Sequence, residues 1–458
     1  MADRSSDVPE LRGESGRELH YTISPHFSST IHLRVEPTSV WSVGLEEDRE
    51  HRLTLIADSA GRVTFQVSAI EARAEFARLL IDSEAQDSPA RHSVELRFGD
   101  GATSDMPFPP RTSVVHWTDD SKFRRPLDVS ELLSVSDEEL AERRYPARPN
   151  PDEAPAAFET WRRAVSSPAI EVEPTVVERP DVTHGLFKAG LVGSPNWSGF
   201  QLRSSPLFQS FPGGKEAPYD WITGTWRVPS VDGHAPGNDG STMWVGIDGF
   251  APLTDLYQAG TEEDVSTGSS GPITLSLANY YAWTEFLPQQ QLEQFIPNFG
   301  VLAGDEIFAV VWLGDPGSAP KLDGGFGFTY IHNFRTGEFT MSPTPRGNTN
   351  VGGTQAEWIM ERPTRTDAYG TKYFPTLADY GRATMSGAYA RLADSPFGSG
   401  YVNYQDRPNV QITMFASRVG GDILSTVRAL DAQSMEFRWG DPRTSPLFQP
   451  VPYHLPEA

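Results

Sequence analysis

From about residue 190 onward, apolar and polar positions alternate in short runs separated by glycine-containing turns. A period of two belongs to strands rather than helices. In "TQAEWIME" (354–361), Ala356, Trp358 and Met360 fall on one face, and Gln355, Glu357 and Ile359 on the other. In "STMWVGIDGF", Met243, Val245 and Ile247 oppose Trp244, Gly246 and Asp248. In "LYQAG", Leu256 and Gln258 point together. In "YYAWTEF", Ala282, Thr284 and Phe286 oppose Tyr281, Trp283 and Glu285. Each strand has one face suited to a core and one that carries a carboxylate or carboxamide, joined by tryptophan in "STMWVGIDGF" and "YYAWTEF". A sheet of such strands carries a groove lined by aromatics and a few polar groups, the usual chemistry of a ligand site. The stretch predicts a large all-β sandwich over 191–458.

The preceding chain differs. Residues 1–110 predict a small β-rich domain, with strand-like runs "LHYTIS", "IHLRVEP", "HRLTLIAD", "RVTFQVS" and "HSVELRFGD". "AIEARAEFARLLIDS" (69–83) reads as a helix. Residues 111–190 predict a helical, Pro-rich linker or prosegment. Ser136 and Glu139 form a capping-box signature at a helix start. "YPARPNPDEAP" breaks regular structure, and "FETWRRAV" predicts a second helix. This region holds a cluster of arginines, Arg143, Arg144, Arg148, Arg162 and Arg163. It reads either as a solvated surface or as a segment docked on an acidic cleft. "RSSPLFQSFP" at 203–212 recurs as "RTSPLFQPVP" at 443–452, a single echo that does not make a repeat protein.

Composition narrows the chemistry. The formal net charge of −23 leaves no basic surface for a nucleic-acid partner. The chain has 0 cysteines, which excludes disulfides, thiolate metal sites and a cysteine nucleophile. No His-Glu-x-x-His helix, Gly-x-Ser-x-Gly elbow, P-loop or dinucleotide fingerprint is present, so the reading calls for no metal and no cofactor. The polar N-terminus lacks an apolar signal region, and no apolar run reaches the length of a membrane span. A cytoplasmic location is the default expectation. Asn196-Trp-Ser, the only glycosylation sequon, reads as a structural turn.

"SPNWSGF", "TGTWRVPS", "WVGIDG", "LYQAG", "YAWTEF", "AEWIME" and "LADYG" occur in the order seen in the glutamic peptidases, the eqolisins. Over about residues 195–385 the chain resembles that family. The resemblance implies an acid endopeptidase on a concanavalin-like antiparallel β-sandwich, acting on polypeptides and extracellular. It implies a catalytic dyad of Gln258 and Glu357. It places Trp244, Asp248, Trp283, Glu285 and Tyr281 at supporting or substrate-binding cleft positions. Tyr281 stands where fungal members often carry aspartate.

These residue types suit amide hydrolysis in acid. A glutamate, with a reference pKa near ~4.3, can exchange protons in mildly acidic water. A carboxamide is a neutral oxyanion donor whose protonation does not follow pH. Asp248 and Glu285 are expected to hold the glutamine's orientation and to shift the titration of Glu357. Two other readings remain open: a glycoside hydrolase using Glu285 and Glu357, and a non-catalytic sandwich whose Trp-lined groove only binds carbohydrate or peptide.

Overall fold

The computed structural model describes the strands between residues 18 and 98 by their backbone. It describes residues 123–440 apart from short intervals, the longest being 184–192, 204–217 and 314–325. The two "SPLFQ" segments lie outside the described residues.

Two mainly antiparallel sheets face each other across an apolar core. The front sheet runs, in spatial order, through the strands Asn409–Ser417, Trp197–Arg203, Gln355–Glu361, Gly237–Asp248, Leu256–Ser270 and Ile273–Leu287. The rear sheet runs through Gly420–Ala429, Met435–Trp439, Arg382–Leu392, Tyr219–Arg227, Glu306–Leu313, Phe326–Asn333 and Glu338–Pro345. The Asn409–Ser417 strand pairs with the front sheet through residues 409–412 and with the rear sheet through residues 414–417, closing one edge.

Parity sets the core as the sequence pattern requires. Met243, Val245, Ile247, Tyr257, Ala259, Ala282, Phe286, Ala356, Trp358 and Met360 point between the sheets. Trp244, Leu256, Tyr281, Trp283 and Ile359 pack together on the outer front face with Trp197 and Phe295.

A third layer covers the rear sheet. Helices span Asp137–Glu142 and Pro155–Ser166. Glu139 N donates to Ser136 Oγ at 3.2 Å, forming the expected cap. The second helix starts at a proline, whose missing N–H costs nothing there. It buries Ala157, Trp161, Ala164 and Val165, an i, i+4, i+7, i+8 stripe. This stripe lies in one cluster with Trp221, Phe308, Val310, Trp312 and Tyr330 of the rear sheet. Trp161 Nε1 donates to Pro146 O at 2.9 Å.

The arginine cluster belongs to this rear layer, not to an acidic cleft. Arg143 pairs with Glu131 and Glu139, Arg144 with Glu171, Arg162 with Glu159 and Arg163 with Glu306. Arg148 donates to Leu132 O and Val135 O. The docked-segment reading therefore holds for the contact but not for its location, because the candidate groove lies on the front sheet.

The stretch 69–83 is corrected. It contains the strand Phe76–Ser83, hydrogen-bonded on one side to Val40–Leu45 and on the other to Arg91–Phe98. Pairing on both edges overrides a weak local helix pattern. N-terminal strands also reach the sandwich. Ser29–Arg34 pairs with Thr274–Ala278 at the front-sheet edge, and Arg62–Val67 pairs with Ser29–Arg34 in turn. The remaining five form their own sheet.

Candidate active site

Strand register places Gln201, Glu357, Gly246, Gln258 and Glu285 in one row across five adjacent front-sheet strands. Gly246 is the pair partner of Glu357 on one side and of Gln258 on the other. The two residues are thus two strand spacings apart, about 10 Å between backbones. Both point outward from the sandwich and both are fully buried. Gly246 lets Trp244, Gln258 and Leu256 close in over the row between them. A Cβ there would lie 2.9 Å from Trp244 Cζ3 and 3.2 Å from Gln258 Cβ.

Each side chain is held at one end. Gln258 Nε2 donates to Glu285 Oε2 at 2.8 Å. Glu357 Oε1 accepts from Gln201 Nε2 at 2.7 Å. The other ends, Gln258 Oε1 and Glu357 Oε2, are buried with no hydrogen-bond partner among the described residues. Such orphaned atoms are rare in folded proteins and call for an occupant or a chemical role.

Asp248 departs from its expected task. Its carboxylate accepts Gly353 N and Thr354 N, both at 2.7 Å, and Thr354 Oγ1 at 3.1 Å. It therefore anchors the turn that launches the Glu357 strand, while Glu285 alone of the two holds Gln258. Asp248 has φ 68°, a left-handed conformation that aspartate tolerates better than most residues. Burial pushes its pKa up to about 6 against the opposing backbone hydrogen bonds. Burial also raises Glu357 well above the usual carboxylate range, with the Asp248 charge adding to it and Gln201 and Arg203 opposing it.

The aromatic residues form a neighbouring row. Trp244 and Trp283 flank Gly260, where a Cβ would lie 2.7 Å from Trp244 Cβ and 3.0 Å from Trp283 Cζ2. Their donors turn away from the Gln258–Glu357 row. Trp244 Nε1 donates to Glu361 Oε2 at 2.8 Å, and Trp283 Nε1 to Thr242 Oγ1 at 2.9 Å. Tyr281 OH donates to Asp264 Oδ2 at 3.1 Å, so a carboxylate meets this position from the adjacent strand. Asp264 and Glu262 are in turn bound by Arg365. Asn196 Nδ2 donates to Glu361 Oε1 at 3.1 Å, which makes the sequon a buried structural turn, as expected.

Gln201 and Arg203 escaped the sequence reading. The signal was available: in "NWSGFQLR", Trp197, Gly199, Gln201 and Arg203 share one parity. Without the neighbouring strand assigned, nothing marked that parity as the groove face.

A comparison with curated protein sequences gives no match. Solved structures that resemble the chain include a scytalido-glutamic peptidase bound to a peptide-based transition-state analogue, 19% identical over 54% of this chain and 98% of that one, with a TM-score of 0.39. SCP-B, an eqolisin-family peptidase in complex with the tripeptide Ala-Ile-His, is 16% identical over 54% and 98%, with a TM-score of 0.38. The aspergilloglutamic peptidase from Aspergillus niger is 22% identical over 44% and 99%, with a TM-score of 0.32. Residues 195–434, more than half of the chain, match the sequence profile of the Peptidase A4 family, and the chain belongs to that family, the glutamic-type peptidases.

Proposed function

We propose that the chain hydrolyses peptide bonds in mildly acidic solution with Glu357 as proton acceptor and donor and Gln258 as oxyanion donor. The observation that carries this reading is the pair of orphaned atoms, Glu357 Oε2 and Gln258 Oε1, on the two strands that flank Gly246. A water bound at Glu357 Oε2 would satisfy that atom. Glu357 Oε2 takes its proton as the water oxygen attacks the substrate carbonyl carbon. Gln258 Nε2 has two N–H groups, one held by Glu285, so the second can meet the oxyanion. Glu357 then returns the proton to the leaving nitrogen as the C–N bond breaks, giving a carboxylic acid and an amine.

The acid limit follows from Glu357, which must be ionised to accept the proton, so activity falls below its raised pKa. The paired-carboxylate reading is less well supported. Glu285 and Glu357 are three strand spacings apart, about 14 Å between backbones, with Gln258 interposed and bound to Glu285.

The test is cleavage of a denatured protein between about pH 4 and 6.5, analysed by mass spectrometry with pepstatin as a control for aspartic peptidases. Glu357→Gln should abolish turnover while the melting curve stays near wild type. Turnover retained by that variant would overturn the reading.

A further inference from the structure

The orientation of Gln201 is not free. Arg203 Nε donates to Gln201 Oε1 at 2.6 Å. A guanidinium has donors only, so the carboxamide oxygen must face Arg203 and the amide nitrogen must face Glu357. Gln201 Nε2 accordingly donates to Glu357 Oε1, and no flipped arrangement satisfies both neighbours. Gln201 is fully buried and Arg203 half-buried, so the chain of contacts runs from the edge of the site to its centre.

We infer that Arg203 and Gln201 form a positioning relay that occupies Oε1 of Glu357 and leaves Oε2 as the oxygen that exchanges the proton. In the neutral carboxyl, a donor on Oε1 makes that atom the carbonyl oxygen and puts the hydrogen on Oε2. In the carboxylate, the same donor leaves the Oε2 lone pairs without a hydrogen-bond donor among the described residues. The reactive atom is therefore the same before and after each proton transfer, and the side chain need not rotate during turnover. The inference rests on Glu357 being the proton-exchanging residue.

Several groups act on Glu357. Arg203, on the Trp197–Arg203 strand, favours the charged form. Asp248, on the Gly237–Asp248 strand, disfavours it. Glu285 lies beyond Gln258, and Glu361 lies further along the Glu357 strand itself, bound to Trp244 and Asn196. The relay thus opposes burial and the Asp248 charge. Without it, Glu357 would hold its proton to a higher pH.

The experiment is an infrared difference titration of the full chain, with the Glu357 band identified by its loss in Glu357→Gln. In Gln201→Leu the midpoint should rise by about one unit, the scale of a hydrogen bond to a charged group. The carbonyl stretch of the neutral acid should move to higher frequency, because its donor is gone. Arg203→Met, at a more exposed position, should move the midpoint in the same direction. In the Gln201→Leu background it should add less than it does alone. The acid limb of kcat/KM should follow the midpoint. A midpoint and band that stay in place in both variants, with melting curves like wild type, would overturn the relay. An active Glu357→Gln would overturn the dyad instead, and the infrared result would still report whether Gln201 controls the carboxyl.

Discussion

Gln258 and Glu285 face each other across the register of two adjacent strands, and the carboxylate accepts the amide N–H at 2.8 Å. This contact puts the Gln258 nitrogen towards Glu285 and thereby fixes where its second N–H can point. Glu285→Ala should therefore lower kcat about 10-fold or more with a smaller effect on KM. Gln258→Ala should cost about 10²–10³ in kcat, the typical loss for one oxyanion donor. Steady-state kinetics on one peptide substrate separates the two. Equal, purely KM-based losses would place both residues in binding rather than in transition-state stabilisation.

Gly246 predicts a second outcome. Its absent side chain lets Trp244, Leu256 and Gln258 pack over the middle of the row. Gly246→Ala brings a methyl group to 2.9 Å from Trp244 Cζ3 and 3.2 Å from Leu256 Cδ1. Trp244 is fully buried, so relief requires a shift of packed atoms, at about 1–3 kcal/mol. The variant should fold with a lowered Tm and lose most peptidase activity. Normal kinetics would show that the packing over residue 246 does not position the two side chains for catalysis.

Much of this site was legible in the sequence because strand parity is a local property. The alternation in "WVGIDG", "LYQAG", "YAWTEF" and "AEWIME" put Asp248, Gln258, Glu285 and Glu357 on one face before any fold was known, and the register brings three of them into one row. What parity cannot give is which residue pairs with which. Asp248 sits just off that row and turns to Gly353 and Thr354, a contact between residues 105 and 106 positions apart. Gln201 meets Glu357 across 156 positions. The strand Phe76–Ser83 was misread for the same reason, since its partners on both edges decide its state.

Stability should rise as the solution becomes more acidic from neutral. Asp248, Glu263 and Glu357 all have pKa values raised in the fold, chiefly by burial. At pH 5 these three groups bind more protons in the folded chain than in the unfolded one; buried His332, lowered to about 3, opposes them, but three groups outweigh one and stability falls with increasing pH. For Asp248 the shift from 3.8 to about 6 corresponds to about 3 kcal/mol, present below the unfolded pKa and lost as pH rises through about 6. Calorimetry should give a higher Tm near pH 5 than near pH 7.5. A Glu263→Gln variant, whose carboxamide oxygen accepts from one of Ser241 and Thr261 and whose NH2 donates to the other hydroxyl, should flatten that difference. A Tm that climbs steadily from pH 5 to 7.5 would refute the sign.

The rear helical layer gives the last prediction, and it distinguishes a structural layer from a pH-operated gate. Arg163 and Glu306 form a bidentate pair at 2.9 and 3.0 Å, and the arginine holds the Glu306 carboxyl below its ordinary value. A depressed pKa means stability that is present above the unfolded value near 4.5 and lost as pH falls through the folded one. Taken alone, this would loosen the layer in acid. The pair is nevertheless 42% and 31% exposed, and such pairs contribute about 0–1 kcal/mol. Trp161 has 0% exposure and lies in one cluster with Trp221, Phe308 and Trp312 of the rear sheet. Trp161→Ala should therefore cost about 3–5 kcal/mol at any pH. Apolar burial outweighs the ion pair, so the layer stays docked through acidification. Arg163→Met should lower stability by under about 1 kcal/mol near pH 6.5 and by nothing measurable near pH 3. It should also leave the ratio of peptidase activities at about pH 4 and about pH 6.5 unchanged, because none of the ion pairs made by Arg143, Arg144, Arg162 and Arg163 among the described residues includes Glu357 or Glu285. A chain beginning near residue 190 would expose the apolar rear face and should aggregate rather than gain activity. If that shortened chain is instead monomeric and more active at pH 6.5 than the full chain, the layer is a removable inhibitor and its apolar contacts are not what holds the rear sheet in solution.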